Sequence, residues 1–350
     1  MSAASRAAGA ERAVRTHVRR LWAVPGTALA VVADPARPLE RLFGRWHFWW
    51  QAHLLDCLVD AELRAPDARR RRLVAALVRG HRLRNLGRLT NDYYDDMAWW
   101  GLALLRADAL AGIDTRHHAR ALGDVLAGAW DDAPHGGIVW RRGDTVRNAP
   151  ANGPAGILLA RLGDRTRAEA ISDWLHERLV DPRTGLVLDG VRDTADGAGR
   201  LDRHVYTYCQ GVGLGLSVEL SAHAPHSERA AALVGAVAAH LAPRGVLVGA
   251  GEHDGGLFAG ITARYLADAA LRLSGAAPVV AGARRTAADL VGRSAEAAWD
   301  GRDAGRDPTR PPRFRQRWDD PASPVGRDLS VQLSAWMLLE AAARLEAAAR

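Results

Sequence analysis

Trp130 to Gly153 reads WDDAPHGGIVWRRGDTVRNAPANG, a run of glycines, aspartates, asparagines and a histidine lodged between two apolar helical patterns. Two other connections resemble it: LDGVRDTADGAGRLDRHVYTYCQG at Leu188–Gly211 and GAGEHDGGLFAG at Gly249–Gly260. Between such breaks the chain shows the 3.6-residue apolar period of amphipathic helices, and strands are hardly visible. Helices are expected to begin near Glu11, Trp46, Ala68, Tyr93, Thr115, Pro154, Arg165, Tyr206, Ser227, Leu257, Ala283 and Leu329. They pair into hairpins of about fifty residues, the repeat length of a helical array. An open solenoid would space its loops evenly. Unequal, decorated loops at one end instead fit an all-α toroid closed on itself, with a polar cleft lined by the odd-numbered inner helices.

Composition narrows what such a toroid does. A chain of 350 residues with 48% apolar content is long enough to bury one large core, so residues 1–350 read as a single domain. Residues 1–44 would be an N-terminal extension with the first helix. Residues 306–324, RDPTRPPRFRQRWDDPASP, would be a long connection, because the final helix still needs a core to pack on. All 47 basic residues are arginine, so neither a Schiff-base lysine nor a phosphate-loop lysine exists. The net charge of +7 does not point to nucleic acid: apart from ARRRRL at Ala68–Leu73, the arginines alternate with acids. Cys57 and Cys209 form neither a disulfide framework nor a zinc motif. The stretch from Arg15 to Ala36 imitates a signal peptide, but Pro25 and Gly26 break its apolar run. No stretch is long and apolar enough to span a membrane. A cytoplasmic protein is expected, with export the alternative, and its oligomeric state is left open.

The chemistry-bearing stretch is NDYYDDMAWW, Asn91–Trp100, which puts three carboxylates and four aromatics into nine residues from Asp92 to Trp100. An acidic pair at a helix start can simply complement the macrodipole. Asp131-Asp132 and Asp319-Asp320 are controls in the same chain, and both read as loop or turn. Asp95-Asp96 differs by its aromatic company. Glycosidases use two carboxyl groups, about 5–5.5 Å apart in retaining enzymes, and aromatic faces stack on pyranose rings. Adjacent residues on a helix diverge by about 100°, within reach of that separation. Like charges so close raise one pKa and keep one carboxyl protonated.

With GGIVWRRGDTVRNAPANGPAGILLARL, DWLHERLVDPRTGLVLDGV, YTYCQGVGLGLSVEL and GGLFAGITARYL following in order, the chain resembles glycoside hydrolase family 76 over about Trp46 to Leu273. The resemblance implies an (α/α)6 barrel, retaining endo-α-1,6-mannanase activity or transfer of mannan chains, and no cofactor. It also implies Asp95 as nucleophile and Asp96 as acid/base. Two departures from the family pattern stand out: Met97 where glutamine commonly follows the dyad, and Cys209 in place of asparagine.

Other candidates for sugar contact are Asn91, Asp92, Tyr94 and Trp99 around the dyad, and Asn148 and Asn152 in NAPANG, whose alternative role is helix capping. Asp189 reads equally as turn or cleft residue, and Tyr208 and Gln210 begin an inner helix. Trp99 and Trp100 point to different sides of one helix, so at most one faces the cleft. His47, His53 and Asp56 invite a metal reading but lack a ligand signature, and no metal is expected. The aspartates of DGVRDTADGAGRLD miss the spacing of a calcium loop. Glu252, His253 and Asp254 in GEHDGG form the rival centre, and the alternative to an enzyme is a non-catalytic sugar-binding toroid.

Overall fold

The computed structural model describes residues 1–36, 40, 46–132, 135–305 and 310–350. Twelve helices are seen among them: α1 (Ala3–Arg15), α2 (Phe48–Arg64), α3 (Ala68–Arg84), α4 (Tyr94–Ala107), α5 (Arg116–Ala127), α6 (Ala149–Leu162), α7 (Arg165–Leu179), α8 (Thr207–Glu219), α9 (Ala224–His240), α10 (Gly255–Arg272), α11 (Pro278–Asp300) and α12 (Leu329–Ala348). Most begin within a few residues of their sequence signals. Three start well before them: α1, α6 and α11, the last at Pro278 against an expected Ala283. Pro154 reads as a helix start, yet α6 begins five residues earlier, where the Asn148 side chain caps it. The alanine-rich α1 begins at Ala3, where Ser2 accepts a bond from the Ser5 amide.

Packing sorts the helices into two rings. α2 packs on α4, α4 on α6, α6 on α8, α8 on α10, α10 on α12, and α12 back on α2, closing the ring as an (α/α)6 barrel. Burial separates the inner from the outer ring: α2 buries fourteen of seventeen residues, whereas α3 buries five of seventeen. The inner helices are therefore the even-numbered ones. The odd-numbered expectation fails because α1 lies outside, against α12, and shifts the count by one. Glycines set close seams between inner helices. A Cβ at Gly260 would lie 2.6 Å from the Ser334 backbone, and one at Gly211 would lie 3.0 Å from that of Thr262.

The inner helices hold the loops of the barrel end by a repeated device. The fourth residue of α2, α6, α8 and α12 is Gln51, Asn152, Gln210 and Gln332. Each side-chain amide accepts from the N–H and donates to the C=O of one loop residue: Ala30, Ile138, Val187 and Phe314, respectively. A carboxamide has the donor and acceptor of a peptide group, so it substitutes for a neighbouring strand. Strands are more numerous than the sequence suggests. β1 (Val18–Arg19) pairs antiparallel with β2 (Leu29–Ala30), so the signal-like stretch folds onto α2. β3 (Val146–Asn148), β4 (Gly190–Arg192) and β5 (Arg200–Asp202) form an antiparallel sheet in the order β3-β4-β5. Strands of three residues are too short to show a period of two. Of the long connection, residues 306–309 lie outside the described residues. The rest is pinned by bridges Asp303–Arg313 and Arg315–Val325 and by fully buried Phe314.

Candidate active site

Five inner helices begin around a cavity of about 1200 Å3 at one end of the barrel. Trp49 of α2, Asp95 and Asp96 of α4, Asn148 capping α6, Tyr208 of α8 and Phe258 of α10 line it. Its side wall is the three-stranded sheet, which contributes Val146, Val191, Arg192, Arg200 and Asp202. The loop connections that the sequence sets apart thus build the cleft.

The dyad sits where α4 starts. Tyr93 is extended, with φ −103° and ψ 120°, and bridges Arg141, so the helix begins at Tyr94 and Asp95 and Asp96 fall in its first turn. Macrodipole complementation and site chemistry coexist there. Asp95 Oδ2 accepts from the indole Nε1 of Trp140 at 3.0 Å, and Oδ1 accepts from the Asp96 amide at 2.9 Å. Asp96 Oδ2 accepts from Asn91 Nδ2 at 2.5 Å. The Asn91 carboxamide is oriented by the Tyr93 amide, which donates to its Oδ1 at 3.0 Å.

Burial pushes the Asp95 carboxyl up to about 6, against donors that favour its charge. Asp96 is pushed well above the usual carboxylate range, first by burial and then by the neighbouring Asp95 charge. Asp96 is the group that keeps its proton, and Asp95 is the one that loses it first. Asp254 adds a third negative charge that raises both. It starts α10, accepts from Trp50 Nε1 at 3.0 Å and lies 3.8 Å from His47 Nδ1. The rival GEHDGG centre is therefore no separate site, because its aspartate belongs to the dyad's cleft. His253 is largely exposed, and Glu252 accepts from the Arg327 amide.

The predicted contacts divide by location. Asn91, Asp92, Trp99, Asn148, Asp189 and Tyr208 line the cleft. Tyr94 does not: its ring lies beneath the Arg142 guanidinium at 5.4 Å, and Tyr93 takes the cleft position, edge-on to Trp140. Asn152 and Gln210 are 0% exposed and spend their amides on Ile138 and Val187, so neither reaches a ligand. Asp189 is pushed up to about 6 by burial and by Asp202, and Cys209 Sγ donates to it at 3.7 Å. Trp99 faces the cleft, while Trp100 stacks on His81 in the core at 3.7 Å. His53 packs on Trp99, and Asp56 pairs with Arg106 and Arg264, cations in place of a metal.

Sequence reasoning gave no role to Trp140, Trp46, Trp49, Phe258 or the sheet's arginines. Trp140 stands in a recognised motif, but only the fold reveals its partner 45 residues away. An acid that holds its proton beside a carboxylate that loses it, among rings suited to pyranose faces, is equipped for acid-assisted displacement at an acetal carbon.

Comparison with known proteins agrees with this chemistry. A mannan endo-1,6-alpha-mannosidase of Candida glabrata is 27% identical over 207 residues, which are 51% of this chain and 46% of that protein. The chain thus matches about half the length of that curated relative. An alpha-1,6-mannanase of Salegentibacter sp. HEL1_6 superposes with a TM-score of 0.85 at 29% identity, covering 98% of this chain and 99% of that one. An inactive variant of the same enzyme, with two consecutive aspartates replaced by asparagine, was solved with α-1,6-mannotriose; it superposes at 0.84 with 28% identity over 98% and 99% of the chains. A Listeria innocua protein superposes at 0.82 with 26% identity over 99% of both chains. The profile of glycosyl hydrolase family 76 matches residues 23–348, and this chain belongs to that family.

Proposed function

We propose that the chain is a retaining glycosidase that cuts α-1,6-linked mannosides within the chain, with Asp95 as nucleophile and Asp96 as acid/base. The carrying observation is a pair of adjacent carboxyls at the start of α4, one held by the Trp140 indole and the other by the Asn91 amide, in an aromatic-lined cleft. Asp95 attacks the anomeric carbon while Asp96 protonates the glycosidic oxygen, and the leaving sugar departs. Asp96, now ionised, takes a proton from water, which attacks the same carbon and releases Asp95. Trp46, Trp49, Tyr93 and Trp140 beside the dyad, with Tyr206, Tyr208 and Phe258 from the α8 and α10 side, suit a chain that continues past the cut bond. The mannotriose-bound relative with its two neighbouring aspartates replaced supports both the substrate and the dyad.

Purified protein on α-1,6-linked manno-oligosaccharides, followed by proton NMR, is expected to release the α-anomer first. Asp95→Asn and Asp96→Asn should each lower kcat by about 10²–10⁴-fold while remaining folded. Products longer than the substrate would favour mannan transfer instead, and binding without cleavage would favour the sugar-binding toroid. The proposed location is the cytoplasm, in line with two buried free thiols. Recovery of the protein from the medium or the wall fraction would overturn it.

A further inference from the structure

We infer that Trp140 is the positioning residue for the nucleophile: its indole N–H fixes the Asp95 carboxylate and singles it out, of two chemically identical neighbours, as the one that attacks. The inference rests on the dyad reading above. Trp140 grips the start of α4 twice. Its carbonyl accepts from the amide of Tyr94, the first helical residue, at 2.9 Å, and its indole donates to the next residue, Asp95, at 3.0 Å. The grip is itself held. The Trp140 amide donates to the Val146 carbonyl at 2.7 Å, Asn152 brackets Ile138 two residues earlier, and the ring sits edge-on to Tyr93 with centroids 5.1 Å apart.

Both Asp95 oxygens therefore face groups that can only donate, the indole N–H and the Asp96 amide. A proton on Asp95 weakens the bonds its oxygens accept, so the arrangement favours the carboxylate. The other titratable groups facing Asp95 are Asp96 on its own helix, Asp254 at the start of α10 with His47 beside it, and Tyr208 on α8. None of these donates to Asp95 Oδ2, so the indole's contribution is separable from theirs.

A tryptophan in a sugar cleft can also be a mere stacking platform, and the two roles differ in their pH signature. Trp140→Phe keeps an aromatic ring and removes the donor. A second variant carries benzothienylalanine at this one position, keeping the shape of the indole without its N–H. Both are assayed on α-1,6-mannotriose across pH, beside Asp95→Asn and with thermal melts. Without the donor, ionised Asp95 is disfavoured, so the acid limb of kcat/KM should move up by about one pH unit, a roughly tenfold deficit below it that shrinks toward alkaline pH. KM should change little. A loss equal at every pH, or one confined to KM, would overturn the inference and leave a platform. If the isostere keeps the wild-type pH profile while Asp95→Asn is inactive, the inference falls and the dyad stands. Activity surviving in Asp95→Asn would sink both.

Discussion

Asp95 lies where the fold favours its neutral form, and this has a consequence for stability. Its folded pKa of about 6 exceeds the ordinary carboxyl value of 3.8 because burial outweighs its hydrogen bonds. The ionised folded state is therefore costly. That cost is absent below the unfolded value, grows as pH rises toward 6 and is complete above it. Two units correspond to about 3 kcal/mol, reduced because Asp95 borders an open cleft and asparagine would turn one amide hydrogen toward a donor. Asp95→Asn should stabilise the protein by about 1–2 kcal/mol at pH 7.5 and by much less at pH 4.5, as read from urea unfolding at both values. An equal gain at both would mean that the charge of Asp95 is not what strains the site.

At the scale of elements, the inner helices hold their loops through a side chain at one repeated position. The device has two gaps. On α10 the fourth residue is Phe258, which lines the cleft, and on α4 it is Met97, fully buried in the core. At α4 the preceding loop is held by backbone bonds instead, from Tyr94 to Trp140 and from Arg142 to Asp92. The departure at Met97 thus leaves the loop before α4 tied by its backbone to the one that carries Trp140. Gln332 offers a test away from the cleft. Gln332→Ala strips partners from the buried N–H and C=O of Phe314 and should cost about 2–4 kcal/mol, with kcat/KM unchanged. A large loss of activity from this change would mean that the α12 loop reaches the site.

For the whole molecule, closing the ring requires helices far apart in the chain to meet. At the end away from the cleft an ion lattice serves that purpose. Asp56 and Asp60 of α2 pair with Arg106 of α4 and Arg264 of α10, and Asp268 of α10 pairs with Arg344 of α12. Around Asp60 these charges are mostly buried, so removing it leaves Arg106 and Arg264 to share the single carboxylate of Asp56. Asp60→Ala should cost about 3–5 kcal/mol in denaturant unfolding while the dyad's pH profile stays put. A cost below about 1 kcal/mol would show the lattice to be solvated and dispensable.

Apolar period, breakers and composition determined a dozen helices in hairpins, because each helix's amphipathic face is written locally along 3.6-residue turns. The dyad was legible for a similar reason: Asp95, Asp96 and their aromatic neighbours are contiguous, so one short stretch carries both the charge pair and its company. What the folded chain decided is everything that depends on partners distant in sequence. Which ring a helix joins depends on where α1 packs. Whether Asn152 and Gln210 touch sugar or hold a loop depends on which backbone lies opposite. Tyr93 takes the cleft rather than Tyr94 because a bridge to Arg141 keeps it out of the helix. The dyad's asymmetry arises from burial and from Trp140, while Asp254 raises both carboxyls; no helical period connects either residue to Asp95, and only the folded chain brings them beside it.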